Sequence, residues 1–165
     1  MRYGCFWLCL VLASVPAGAQ SVISAHSGTI HYVEGEVAID GIGIHPEFAE
    51  FPDLKSGQVL ATSSEGRAEV LLTPGVFLRL AENSSVRMLS NSLADTRIAV
   101  IFGSVLIEAG ELLPNNAVSF QIQGAQIAIP KKGLYRIDAD AARLEVFDGQ
   151  ALVTLDDEKV TARKG

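Results

Sequence analysis

Apolar and polar positions alternate in short runs along most of this chain, and turn residues close each run. The clearest stretch is residues 56–89. Gly57 precedes Val59 and Leu60, and Ser64-Glu65-Gly66 interrupts. Val70-Leu71-Leu72 follows, then Thr73-Pro74-Gly75, and a last apolar run from Val76 to Leu80 enters Ala81-Glu82-Asn83-Ser84-Ser85. Runs of this length between turn clusters predict the strands of a meander. Upstream, residues 29–33 and 36–40 alternate with a two-residue period around Glu34-Gly35, as half-buried strands do, and predict a hairpin. Residues 41–53 hold two glycines, two prolines, Phe48 and Phe51. They predict an irregular loop whose phenylalanines tuck onto the core edge, and the longest interruption in the chain is the natural place for a partner to bind.

Downstream, 90–95 reads as a polar connector and 109–116 as a loop. Residues 97–102 and 105–108 flank Gly103-Ser104, and 143–147 and 150–155 flank Asp148-Gly149; both predict hairpins. Between them, Gly124 turns 118–122 into 126–129. Pro130-Lys131-Lys132-Gly133 leads into 134–137, residues 138–142 turn again, and 159–163 is the last run. Three sites share one local pattern: Val33-Glu34-Gly35-Glu36-Val37, Ile101-Phe102-Gly103-Ser104-Val105 and Phe147-Asp148-Gly149-Gln150-Ala151. Their glycines stand 68 and 46 residues apart, so no fixed repeat is present. No stretch sustains a 3.6-residue period with caps at both ends. The prediction is all-β: stacked short antiparallel hairpins forming a two-layer sandwich or a flattened solenoid-like roll. One hairpin alone is marginal, and facing sheets bury the apolar sides. Arg67, Glu69, Arg97, Arg143, Glu145 and Lys159 are expected to guard the sheet edges.

Composition changes the picture at the N-terminus. Arg2, an apolar run over residues 5–15 and Ala17-Gly18-Ala19 have the layout of a secretory signal peptide cleaved after Ala19. The run is shorter than the roughly 20 residues a spanning helix needs. The expected organisation is residues 1–19 as leader, 20–27 as lead-in and 28–165 as one all-β domain. Both cysteines and the only tryptophan lie in the leader. The mature chain then has no disulfide and no thiolate chemistry, and packing alone must hold it. The 13 basic and 19 acidic residues give −6, and loss of Arg2 makes it −7. A scattered acidic balance disfavours nucleic acid and anionic lipid as partners. The expected location is periplasmic or extracellular, with no membrane insertion of the mature chain.

The 56–89 stretch resembles the core of the FecR-like domain, named for an envelope regulator of ferric-siderophore uptake. The residues that carry the likeness are Gly57, Val59-Leu60, Thr62, Gly66, the run from Arg67 to Leu72, Gly75, and the run from Phe77 to Ser85. It continues through Gly103-Ser104-Val105 and Asp148-Gly149, over roughly residues 28–165. A Gly-Thr before a late strand is common in the family; here Gly133 is followed by Leu134. The family's regulators carry a cytoplasmic anti-sigma segment and a membrane helix ahead of this domain, whereas here a leader precedes it, so the resemblance does not extend to the sigma-factor role. The family has no catalytic residues to carry over.

Candidate chemistry is sparse. His26 and His31 stand five apart and no histidine follows His45, so the spacing of a histidine-rich metal site is missing. Asp138, Asp140 and Asp156-Asp157-Glu158 sit at turns, where turn chemistry accounts for them. Gly41-Ile42-Gly43 leads into no helix, which removes a phosphate-binding reading. No catalytic residue, metal or cofactor is expected. What remains is protein binding: His45, Phe48 and Phe51 on the long loop, and Lys131, Lys132 and Arg136 as a small basic patch. The expected function is a non-catalytic interaction or scaffold domain of the cell envelope, linked to envelope signalling, with another envelope protein as partner. The competing reading is a cell-wall or polysaccharide-binding module, for which Tyr32 and Tyr135 are the few candidate stacking rings. Oligomeric state is left open.

Overall fold

The computed structural model describes residues 26–46 and 50–165. The expected leader, most of the lead-in, and Phe48 lie outside the described residues. The first strands are β1 (Thr29–Glu34), β2 (Val37–Ile39), β3 (Ile42–Gly43), β4 (Val59–Thr62) and β5 (Arg67–Thr73). Next come β6 (Val76–Leu80), β7 (Ser85–Ser92), β8 (Asp95–Phe102), β9 (Ser104–Ala109) and β10 (Val118–Ile122). The last are β11 (Ala125–Ala128), β12 (Gly133–Asp138), β13 (Arg143–Asp148), β14 (Gln150–Leu155) and β15 (Glu158–Arg163). They form two open sheets facing each other, one six-stranded in the order β1-β5-β6-β9-β12-β13, the other nine-stranded in the order β15-β14-β11-β10-β8-β7-β4-β2-β3. The all-β two-layer sandwich expected from the alternating pattern is the architecture observed.

The period-two pattern sends alternate side chains between the sheets. Ile30, Val70, Leu78, Ile107, Tyr135 and Ile137 come from the six-stranded sheet and meet Leu60, Val86, Met88, Ile98, Phe120 and Ile127 from the nine-stranded one. All are buried, and burying each such side chain stabilises by roughly 1.5–3 kcal/mol against leaving it in water.

The connections differ from expectation. None of the three predicted hairpins at Gly35, Gly103 and Gly149 forms. At each glycine the chain leaves one sheet and enters the other: β1 to β2, β8 to β9, and β13 to β14. A corner and a hairpin share one sequence signature, a turn residue between alternating runs. What distinguishes them is the crowding. The three glycines have φ of 65°, 76° and 91°, and a Cβ at each would stand 2.1–2.4 Å from atoms of a neighbouring turn. The predicted meander is likewise a wrap. Only β5 and β6 form a hairpin in it, while β4 and β7 pair with each other on the opposite sheet. Thr62 ties the wrap shut: its Oγ1 accepts from the Ser84 amide at 3.0 Å and donates to the Ala81 carbonyl at 2.6 Å.

The 90–95 connector is also corrected, since β7 and β8 run through it to a two-residue turn at Leu93-Ala94. Because β8 and β10 are joined through β9 on the other sheet, they can pair in parallel. Of the residues expected at edges, Arg143 and Glu145 lie on edge strand β13 and Lys159 on edge strand β15, but Arg67, Glu69 and Arg97 sit on interior strands.

Candidate interaction surface

The loop after β3 is anchored from below. Leu54 is fully buried and its amide donates to the Gly28 carbonyl at 2.8 Å. Asp53 accepts from Thr29 Oγ1 at 3.0 Å and lies 2.8 Å from His26 Nε2. Partial burial pushes the Asp53 carboxyl up, but the hydrogen bonds from His26 and Thr29 outweigh it and hold the group below its ordinary value. Leu54 thus takes the core-edge position expected for the phenylalanines. Phe51 points outward instead, 57% exposed, and Ile42 on β3 is 74% exposed.

Ile42 stands opposite Ile39, which stands opposite buried Leu60, so it lies on the core-side face of the sheet; the other face of the same strands is concave. A groove of about 480 Å³ is lined by residues of β2, β3, β4 and the turns beside them, His45 among them. Its floor is small by register: Ala38 stands opposite both Gly43 and Ala61. A second hollow of about 420 Å³ lies between Ile44, His45, Pro46, Glu50, Phe51 and Pro52, so His45 borders both. Small residues here let another backbone approach closely, while Phe51 and His45 offer apolar and hydrogen-bonding contact beside them.

The basic residues are elsewhere. Lys131 and Lys132 are exposed in the turn between β11 and β12. Arg136 lies on the outer face of β12, and its Nε donates to Ser104 Oγ at 2.8 Å. By register Ser104 stands opposite Asp138, so the guanidinium reaches away from Lys132. Strands β10, β8, β7 and β4 stand between β11 and β2, a separation of roughly 24 Å at one strand spacing each. The structure therefore brings His45 and Phe51 together and leaves the three basic residues apart from them. Tyr135, one of the two candidate sugar-stacking rings, is fully buried; Tyr32 is exposed, its hydroxyl donating to Glu34 at 3.0 Å.

Pattern reading missed the outer face of the six-stranded sheet. His31 Nε2 lies 2.6 Å from Glu69, Arg79 bonds both Glu69 and Glu108, and Arg67 bonds Glu82. The His31 ring packs edge-on against Phe77 with centroids 5.6 Å apart. Burial lowers the Arg79 pKa, but its two carboxylate partners outweigh that and raise it. The groups come from β1, the β5–β6 hairpin with the turn after it, and β9. Only strand registers put them side by side; no local spacing announced them.

A family description, FecR protein, matches residues 58–152, more than half of the chain. The chain belongs to the FecR family. The FecR match runs from the residue before β4 into β14, so it covers the wrap and most of both sheets. It includes Ala61 of the groove floor but not Ala38, Gly43, His45 or Phe51. No curated protein matches the chain. Two solved structures of a candidate anti-sigma factor from Parabacteroides distasonis share the fold at a TM-score of 0.54 each, with 11% and 10% identity. Each likeness covers 64% of this FecR-family chain and 51% of the other, so the chain spans about half the length of those proteins.

Proposed function

We propose that this FecR-family chain is an exported, non-catalytic interaction or scaffold domain of the cell envelope, acting in the periplasm or outside the cell. Its partner is another envelope protein, docked at the groove beside β2, β3 and β4. The observation that carries the reading is exposed His45, which borders both the small-residue floor of Gly43, Ala38 and Ala61 and the hollow beside exposed Phe51. An exposed aromatic ring near a small-residue floor suits an extended segment that adds backbone contacts at a short edge strand. A link to envelope signalling is supported by family membership and by the candidate anti-sigma assignment of the two solved relatives.

The test is crosslinked capture from the native envelope with wild type and with the double variant His45→Asp, Phe51→Asp. Both positions are exposed, so the thermal midpoint should hold while capture of a specific partner falls roughly tenfold or more. Unchanged capture rejects the groove. A Lys131→Glu, Lys132→Glu variant probes the other predicted patch in the same assay. The exposed rings of Phe51 and Tyr32 keep a cell-wall glycan as the competing ligand. Retention on peptidoglycan that the aspartate pair abolishes, without loss of protein capture, would favour it.

A further inference from the structure

We propose that two copies of this chain pair edge to edge through β15, joining their nine-stranded sheets across a two-fold axis. The sandwich has four sheet edges: β1, β13, β15 and β3. Edge β1 is covered, since the Ile30 amide donates to the Pro52 carbonyl at 2.8 Å and Thr29 bridges to Asp53. Edge β3 has only two residues. Edge β13 is broken by a register shift where it runs against Leu134 and Tyr135. Edge β15 differs: it pairs six consecutive residues with β14 without a shift, and no described strand is hydrogen-bonded to its other edge. A straight, regular edge of this length templates pairing with another chain.

The side chains agree. Val160 stands opposite Val153, which stands opposite buried Ile127, so Val160 points to the core side of the sheet. Edge strand β13 of the six-stranded sheet touches β15 and Ala162 packs on the core, but Val160 is left in water. Val160 is 62% exposed and Leu155 on β14 is 47% exposed.

Charge selects the occupant and the register. A two-fold axis normal to the sheet keeps core face beside core face, so opposing residues must share a face. With Val160 on the axis, Val160 meets its own copy, Lys159 faces Thr161, Glu158 faces Ala162, and Asp157, in the turn just before β15, comes level with Arg163 of the second copy. Centring on Lys159 would oppose two ammonium groups, and centring on Thr161 would set Lys159 against Arg163. Only the Val160-centred register of these three buries an apolar pair, gains two opposite-charge pairs and opposes no like charges. A contact of one six-residue strand is small, so the dimer should be weak, with Kd on the order of 10–100 µM.

This inference does not rest on the β2–β4 groove, and either can fail alone. Sedimentation velocity of the purified protein from about 5 to 500 µM should show reversible monomer–dimer exchange. Val160→Lys should raise Kd about tenfold or more while the thermal midpoint holds, since the side chain is mostly in water. Asp157→Asn suits the left-handed φ of 67° at that position. It and Arg163→Gln should each weaken the dimer about threefold, and the double variant no more than either alone. A monomer at every concentration overturns the proposal. So does a dimer indifferent to Val160→Lys, or one in which the two charge substitutions act independently.

Discussion

Gly124 and Gly149 have nearly the same backbone, φ 88° and 91°, but different surroundings. At Gly124, the tip of the β10–β11 hairpin, a Cβ would meet nothing within 4 Å. At Gly149 it would stand 2.3 Å from the Tyr135 hydroxyl and 2.4 Å from the Lys132 carbonyl. Gly124→Ala should therefore cost only the left-handed strain, about 1 kcal/mol. Gly149→Ala adds a clash with backbone and should cost about 3 kcal/mol or more. Urea denaturation of the two variants measures the difference, and equal losses would mean that Gly149 is an ordinary turn. Sequence reading found both glycines as turns, because positive φ is a local property. It could not tell them apart, because the crowding at Gly149 comes from a turn 17 residues upstream.

Corners rather than hairpins are the element that sets this architecture. Tyr135 shows how one is held. Its ring fills the core from β12, while its hydroxyl donates to the Lys131 carbonyl at 2.7 Å and accepts from the Gln150 amide at 3.0 Å. One side chain thus pins the turn into β12 against the start of β14. Burial raises its pKa, as expected for a phenol kept neutral out of water. Tyr135→Phe keeps the packing and removes both bonds, so it should destabilise by about 1–2 kcal/mol. Hydrogen exchange should quicken at Gln150 before the β4–β7 region changes. A variant as stable as wild type would show that the glycine, not the tyrosine, sets the corner. Most strands were legible from period-two burial, but β7 fell between an expected turn and an expected connector, and β3 fell inside the expected irregular loop. Their partners were not, because a hairpin and a sheet-to-sheet crossing place the same residues on the same faces.

At the level of the molecule, sequence neighbours are split between layers and distant segments are joined. β4 pairs with β7, β9 with β6 and β12, and β10 with β8 across an excursion through the other sheet. No part of the chain owns a complete core. Unfolding should be a single cooperative transition, with far-ultraviolet and near-ultraviolet circular dichroism melting together. Two separated transitions would show that the sheets are independent units. The candidate groove follows the same division. Residues 41–53 stand out in the chain by their glycines and prolines, but the floor of Ala38, Gly43 and Ala61 exists only because three strands align. What the residues determined by themselves is class and layering: alternation at period two selects strands, and strands with one apolar face must stack in pairs. What folding alone decided is connection and surface. Which run lies beside which, and which side chains are left in water at Ile42, Phe51 and Val160, depends on contacts between segments far apart, where the local pattern carries no information.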